Sequence, residues 1–210
     1  MAVQNIVSMK KLLTFVMAAG ISIASFAQTE AIKIGTAVPA SKTTLTNIDG
    51  KETNLEKETK KNGLLVMFSC NTCPYVVANE ERTVEILKYA QTKNIGVVVV
   101  NSNEAQRSGV DSKDAMSNYA KKLDYKWAYT VDQNHVVADA FGATKTPEVF
   151  LFDGKGILAY HGAIDDSPKE ATEVKTKHLK NAIDQMTSGK EVSVKTSKSI
   201  GCTIKRLATK

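Results

Sequence analysis

The chain has 210 residues, 42% apolar and 24% charged, which is the balance of an ordinary globular protein and excludes a disordered or fibrous one. One domain plus short extensions fits that length and can bury a proper core. The net charge of +6 is thickest at Lys190, Lys195, Lys198, Lys205, Arg206 and Lys210, and no interleaved aromatics accompany it, so a nucleic-acid surface is not expected.

In chain order, the first element is an export signal over residues 1–27. Lys10 and Lys11 form its positive start, Leu12 to Phe26 its uncharged apolar stretch, and Ser25-Phe26-Ala27 its small-residue cleavage site. Met9, directly before the lysines, is a better start than Met1. The apolar stretch is short for a stable membrane span, and polar chain follows at Gln28-Thr29-Glu30. Cleavage removes two lysines and leaves +4, and the absence of cysteine before Cys70 excludes a lipid-anchored N-terminus. The expected location is periplasmic or secreted, where disulfides persist.

Ile32 to Gly50 is a turn-rich lead-in that closes on a hairpin turn at Asp49-Gly50. Gly63 to Phe68 is unbroken apolar sequence and predicts a central strand buried on both faces. A helix is expected from Pro74, with Val76, Thr83, Val84, Leu87 and Ala90 on its stripe. Ile95 to Val100 predicts a second buried strand, and Asp111 to Leu123 a helix striped by Met116, Tyr119, Ala120 and Leu123. A short strand is expected near Trp127 to Val131, then a helix through Val136, Val137, Ala140 and Phe141 that Gly142 stops. Pro147 to Phe152 and Ile157 to Tyr160 read as a hairpin around Asp153-Gly154-Lys155-Gly156. Ser167-Pro168-Lys169-Glu170 has the form of a capping box, opening a helix striped by Ala171, Val174, Leu179, Ile183 and Met186 and ending at Gly189. The residues from Lys190 onward are read as an appended tail. Alternating strands and helices with a closing hairpin give an α/β sandwich with a mixed sheet.

Chemistry concentrates at Cys70-Asn71-Thr72-Cys73-Pro74, where a buried strand meets a helix. The spacing alone admits a redox pair, half of a zinc site, a permanent bridge or chance. No second Cys-x-x-Cys or Cys/His pair completes a tetrahedral set, so no metal is expected at the pair. Three cysteines remain in the exported chain, an odd number that favours reactive thiols over structural bridges. Cys70 is expected to be exposed at the helix start and to attack as a thiolate, with Cys73 as the buried resolving thiol. Cys202, among the small residues of Ser199-Ile200-Gly201-Cys202-Thr203, is a candidate third redox thiol, set against an incidental tail cysteine. His135, His161 and His178 stand at no ligand spacing and read as surface or core residues, as do Trp127 and Tyr129 within the core.

The order of elements around Cys70-x-x-Cys73-Pro74, the long interval to Thr146-Pro147, and the opening Ile34-Gly35-Thr36-Ala37-Val38-Pro39 resemble the thioredoxin superfamily, in its exported peroxiredoxin-like or redoxin branch. The resemblance implies a thioredoxin-like three-layer sandwich over residues 28–189, after the signal peptide and before the tail of residues 190–210. It implies a cis Pro147 that, with Thr146, shapes a substrate groove facing the reactive sulfur. Asp165-Asp166 also resembles a segment of the branch. Ser69 replaces the usual tryptophan before Cys70, and no acid lies between Gly63 and Phe68 to manage a proton. The threonine that orients peroxide three residues before a peroxidatic cysteine is missing, since Met67 and Cys70 hold those places.

The expected function is thus an exported thiol–disulfide oxidoreductase with no cofactor, acting on a thiol- or disulfide-bearing protein or small molecule and served by a redox partner protein. A thiol peroxidase and a Cu(I)-binding protein are the alternatives. Neither a nucleic acid nor stable membrane insertion is expected.

Overall fold

The computed structural model describes residues 30–207, so the expected signal segment lies outside the described residues. The elements run β1 (Leu45–Asn47), β2 (Glu52–Thr53), α1 (Leu55–Glu58), β3 (Leu64–Phe68), α2 (Pro74–Val77), α3 (Glu80–Thr92), β4 (Gly96–Asn101), α4 (Lys113–Lys122), β5 (Ala128–Val131), α5 (Val136–Phe141), β6 (Lys145–Thr146), β7 (Glu148–Phe152), β8 (Leu158–Gly162), α6 (His178–Thr187) and β9 (Cys202–Thr203). Seven strands form one sheet in the order β2-β1-β5-β4-β3-β7-β8. β3, β4 and β5 are parallel, while β7 runs antiparallel to β3 and to β8. β3 is therefore central, which is why its five residues are all buried.

The two faces of that strand feed two cores. Leu65 and Met67 join Val97, Val99, Tyr129 and Leu151 beneath α3, α4 and α6, through Leu87, Met116 and Ile183. Leu64, Val66 and Phe68 join Val98, Val100 and Phe150 against α1 and α5, through Leu55 and Phe141. The result is the expected three-layer α/β sandwich with a mixed sheet. Each of these fully buried side chains stabilises the fold by roughly 1.5–3 kcal/mol relative to exposure.

Three local expectations give way. The helix from Pro74 breaks after four residues, because the Asn79 side-chain amide takes the Tyr75 carbonyl at 2.7 Å while the Asn79 backbone N–H turns to Val76. The same amide donates to the Pro168 carbonyl, tying the break to the far loop. Second, Ser167 does not open a helix. Its hydroxyl accepts from Glu170 N–H and donates to the Glu170 carbonyl, closing a turn, and Asp166 N–H bonds the Thr176 carbonyl across the loop. A single helical turn of 3-10 type forms at Ala171–Glu173, and α6 begins only at His178. Third, the residues after Lys190 are part of the domain. Val192 and Ile204 are buried, Thr196 bridges to His161, and β9 pairs with β6. Among the described residues, no helix is long and apolar enough to cross a membrane.

Candidate active site

Buried strands bring polar groups to their carboxyl ends, where an open α/β sheet leaves a crevice. β3 ends at Phe68, and Ser69 N–H still bonds the Val100 carbonyl of the neighbouring strand. Beyond it the chain must turn, and buried polar residues hold the turn. Asp111 accepts from Asn71 N–H at 3.0 Å, from the Asn101 amide at 2.9 Å and from the Asn103 amide at 2.8 Å. The Tyr129 hydroxyl donates to Asn71 Oδ1 at 2.8 Å, and Asn71 Nδ2 donates to the Val110 carbonyl. Arg107 completes the set through the Asp111 and Asn101 carbonyls. The loop carrying Cys70 is thus pinned from behind on both sides of its asparagine. Tyr129, expected as core, and Asn71 are both structural parts of the site.

Cys73 stands directly before α2, and Thr146 lies against both thiols. The Cys70 Sγ is 3.4 Å from Thr146 Oγ1, and the Cys73 Sγ is 3.2 Å from the Thr146 carbonyl. The Thr146–Pro147 peptide is cis. Pro147 lines a cavity of about 200 Å³ with Asn79, Ile164, Pro168 and Ile200, and none of the three cysteines lines it. Cys202 comes from the C-terminal strand, with its Sγ 2.6 Å from that of Cys73.

The expected exposure and placement of Cys70 need correction. Cys70 is not the exposed thiol at a helix start: it is 2% exposed, Cys73 is 4% exposed, and Cys73 is the residue that precedes the helix. The two thiols move in opposite directions. Cys73 falls to about 4, chiefly because the Cys70 thiol donates to it, with further donation from the Cys202 thiol and the Val76 N–H. Cys70 rises, through that same bond and then through burial, with the Asp111 charge adding to it. As a thiol, Cys73 donates to the Thr146 carbonyl at 3.2 Å. The neighbouring Cys70 and Cys202 thiols favour its charged form. Cys202, facing that charge and partly buried, is raised to about 11, with burial the larger cause.

No sequence signal marked the closeness of Cys202 to the pair. A signal did exist for the asparagine and aspartate cluster: Asn101, Asn103 and Asp111 follow an all-apolar strand at its carboxyl end. The histidines lie away from the thiols' hydrogen bonds; His161 stacks on Phe150 and pairs with Glu148 at 2.7 Å. Among the described residues, no group of three or more His, Cys, Asp or Glu side chains is placed to hold a metal ion.

The family model described as Redoxin matches residues 33–179. A hypothetical protein from Sinorhizobium meliloti is similar in structure at 32% identity and a TM-score of 0.78, covering 86% of this chain and 98% of that one. An uncharacterized conserved protein from Geobacillus kaustophilus is similar at 31% identity and a TM-score of 0.77, covering 85% and 94%. A thioredoxin-like protein in its oxidized form shares the fold at 20% identity and a TM-score of 0.59, covering 76% and 100%. No curated protein matches.

Proposed function

Because the chain belongs to the redoxin family, we propose that it is an exported thiol–disulfide oxidoreductase whose Cys70–Cys73 pair exchanges disulfides with protein or small-molecule thiols. The observation that carries this reading is the placement of two free thiols three residues apart at the end of the central strand, both against Thr146, with Cys70 Sγ 3.4 Å from its Oγ1 and Cys73 Sγ 3.2 Å from its carbonyl. A thiol with a lowered pKa is a good leaving group, so a Cys70–Cys73 disulfide opens easily once a thiolate reaches Cys70. Stabilising the reduced form also makes the disulfide more oxidising, which tilts exchange toward giving the disulfide to a dithiol partner.

The test mixes oxidised protein with a reduced, unfolded substrate protein and follows both sets of thiols. The expected result is substrate oxidation matched by loss of the Cys70–Cys73 bond, with Cys70→Ser slowing turnover. Exchange by Cys70→Ser at the wild-type rate overturns the reading, as does consumption of hydrogen peroxide in place of exchange.

Export rests on the charged start, apolar stretch and Ser25-Phe26-Ala27 site. N-terminal sequencing of protein recovered from outside the cytoplasm is expected to begin at Gln28. Recovery only as the uncut chain inside the cell would refute it.

A further inference from the structure

Cys202 lies beyond the last residue of the family match, yet the fold delivers it to the thiols. β9 pairs antiparallel with β6, in a register that sets Cys202 opposite Thr146. The two sulfurs at 2.6 Å are closer than unbonded sulfurs pack, where a disulfide is about 2.05 Å. Gly201 makes this approach feasible: a Cβ there would lie 2.2 Å from the Thr146 carbonyl oxygen.

The segment is anchored on both sides of Cys202. Upstream, Ser197 Oγ meets the Tyr160 hydroxyl at 2.6 Å and Ala163 N–H at 2.9 Å. Downstream, Ile204 is buried with its N–H on the Thr144 carbonyl, and Lys205 N–H donates to Asn103 Oδ1 at 2.8 Å. Cys202 is therefore placed, and not a thiol that drifts into reach. It is also the most exposed of the three. At 2% and 4% exposure, Cys70 and Cys73 offer an external partner almost no surface.

We propose that Cys202 is the relay thiol of this centre: it forms a disulfide with Cys73 that interchanges with Cys70–Cys73 and hands the bond to a dithiol partner protein. The proposal rests on the reading of Cys70 and Cys73 as a working redox couple. In the first step the Cys202 thiolate attacks Cys73 Sγ. The Cys73–Cys202 bond forms, the Cys70–Cys73 bond breaks, and Cys70 takes up the proton that Cys202 gave up. No net oxidation occurs. A partner thiolate then attacks the accessible Cys202 Sγ and expels Cys73 as its stabilised thiolate. The partner's second thiolate attacks the partner sulfur of the mixed disulfide, and Cys202 leaves and is protonated. The partner has lost two electrons and the protein has gained them. Run backwards, the same steps reload the centre from a disulfide-bearing partner.

The low pKa of Cys73 suits it to the middle position, since it is the leaving sulfur in the step that contacts the partner. Burial raises the Cys202 thiol, so little of it is thiolate at neutral pH and the interchange is expected to set the pace of the relay.

The test uses the reduced full chain, equilibrated with oxidised glutathione, acid-quenched, alkylated and mapped by mass spectrometry. In Cys70→Ser the expected product is a peptide linking Cys73 to Cys202. Finding only free thiols and glutathione adducts at those two positions overturns the proposal. Gly201→Ala keeps all three thiols and is expected to lower the yield of the Cys73–Cys202 link by about tenfold or more, leaving Cys70–Cys73 formation intact. An unchanged yield overturns the placement by β9 on which the proposal depends. Cys202→Ser separates the two readings. Failure of Cys70 and Cys73 to join in that variant counts against the redox couple itself, whereas failure of the link in Cys70→Ser alone counts against the relay.

Discussion

Cys73→Ser is expected to stop disulfide exchange, lowering its rate by on the order of 10³-fold or more, the scale seen when a reacting group is removed from an assembled centre. The reason is topological as well as chemical. Cys73 touches both of the other sulfurs, so its loss removes every intramolecular disulfide the centre can make, whereas Cys70→Ser and Cys202→Ser each leave one. The same variant has a spectroscopic signature. In the reduced wild type, thiolate ultraviolet absorbance should titrate near 4, well below the ordinary thiol value of 9.0, and that step should vanish in Cys73→Ser. The sign for stability follows. A depressed folded-state pKa adds stability that is complete above the ordinary thiol value and is lost progressively as pH falls to about 4. Reduced wild-type protein should lose that increment on acidification, and Cys73→Ser should not. A thiolate that titrates near 9.0 in the wild type would show that the hydrogen bonds to Cys73 do not stabilise charge.

Much of the sandwich was legible because buried strands and amphipathic helices write themselves as patterns. The runs at Leu64–Phe68 and Gly96–Asn101 have no polar face, and only a central position satisfies that. Gly142 stops α5 in the left-handed conformation, as glycine after a helical stripe predicts. What pattern could not supply is competition between side chain and backbone. Asn79 and Ser167 both sit inside good helical sequence, and both satisfy a carbonyl that a helix would have used. The choice is settled partly by Pro168, distant in sequence from Asn79, and by Thr176, which Asp166 N–H bonds across the loop that Ser167 closes.

The C-terminal segment illustrates a different limit. Its composition, rich in lysine and serine with scattered apolar residues, reads as solvated tail. Two apolar side chains, Val192 and Ile204, are buried to seat it, and the remaining attachment is backbone hydrogen bonding to β6 and β8 together with a few polar contacts such as those of Ser197 and Arg206. Such bonds carry no sequence signature. The site inherits the same blindness: Cys70-x-x-Cys73 announces itself by spacing, while Cys202 reaches it through strand register.

Asp111→Ala is expected to be the most damaging substitution outside the thiols, at about 3–5 kcal/mol, which is a large share of a typical domain's stability. Asp111 is fully buried, and its carboxylate satisfies Asn71 N–H and the amides of Asn101 and Asn103. Removing it orphans three donors on buried residues, each worth roughly 1–3 kcal/mol when left unpaired. Urea unfolding of reduced protein should report the loss, and a change within about 0.5 kcal/mol would mean the cluster does not brace the loop. Asp111→Asn separates bracing from electrostatics. It keeps the shape, and with it part of the hydrogen bonding, so its stability should fall between wild type and Asp111→Ala. It also removes the charge that raises the Cys70 thiol. In Asp111→Asn, Cys70 should therefore ionise at lower pH and be alkylated faster by a small reagent, even though the fold is weaker only in part. Slower or unchanged alkylation of Cys70 would assign Asp111 to the scaffold alone.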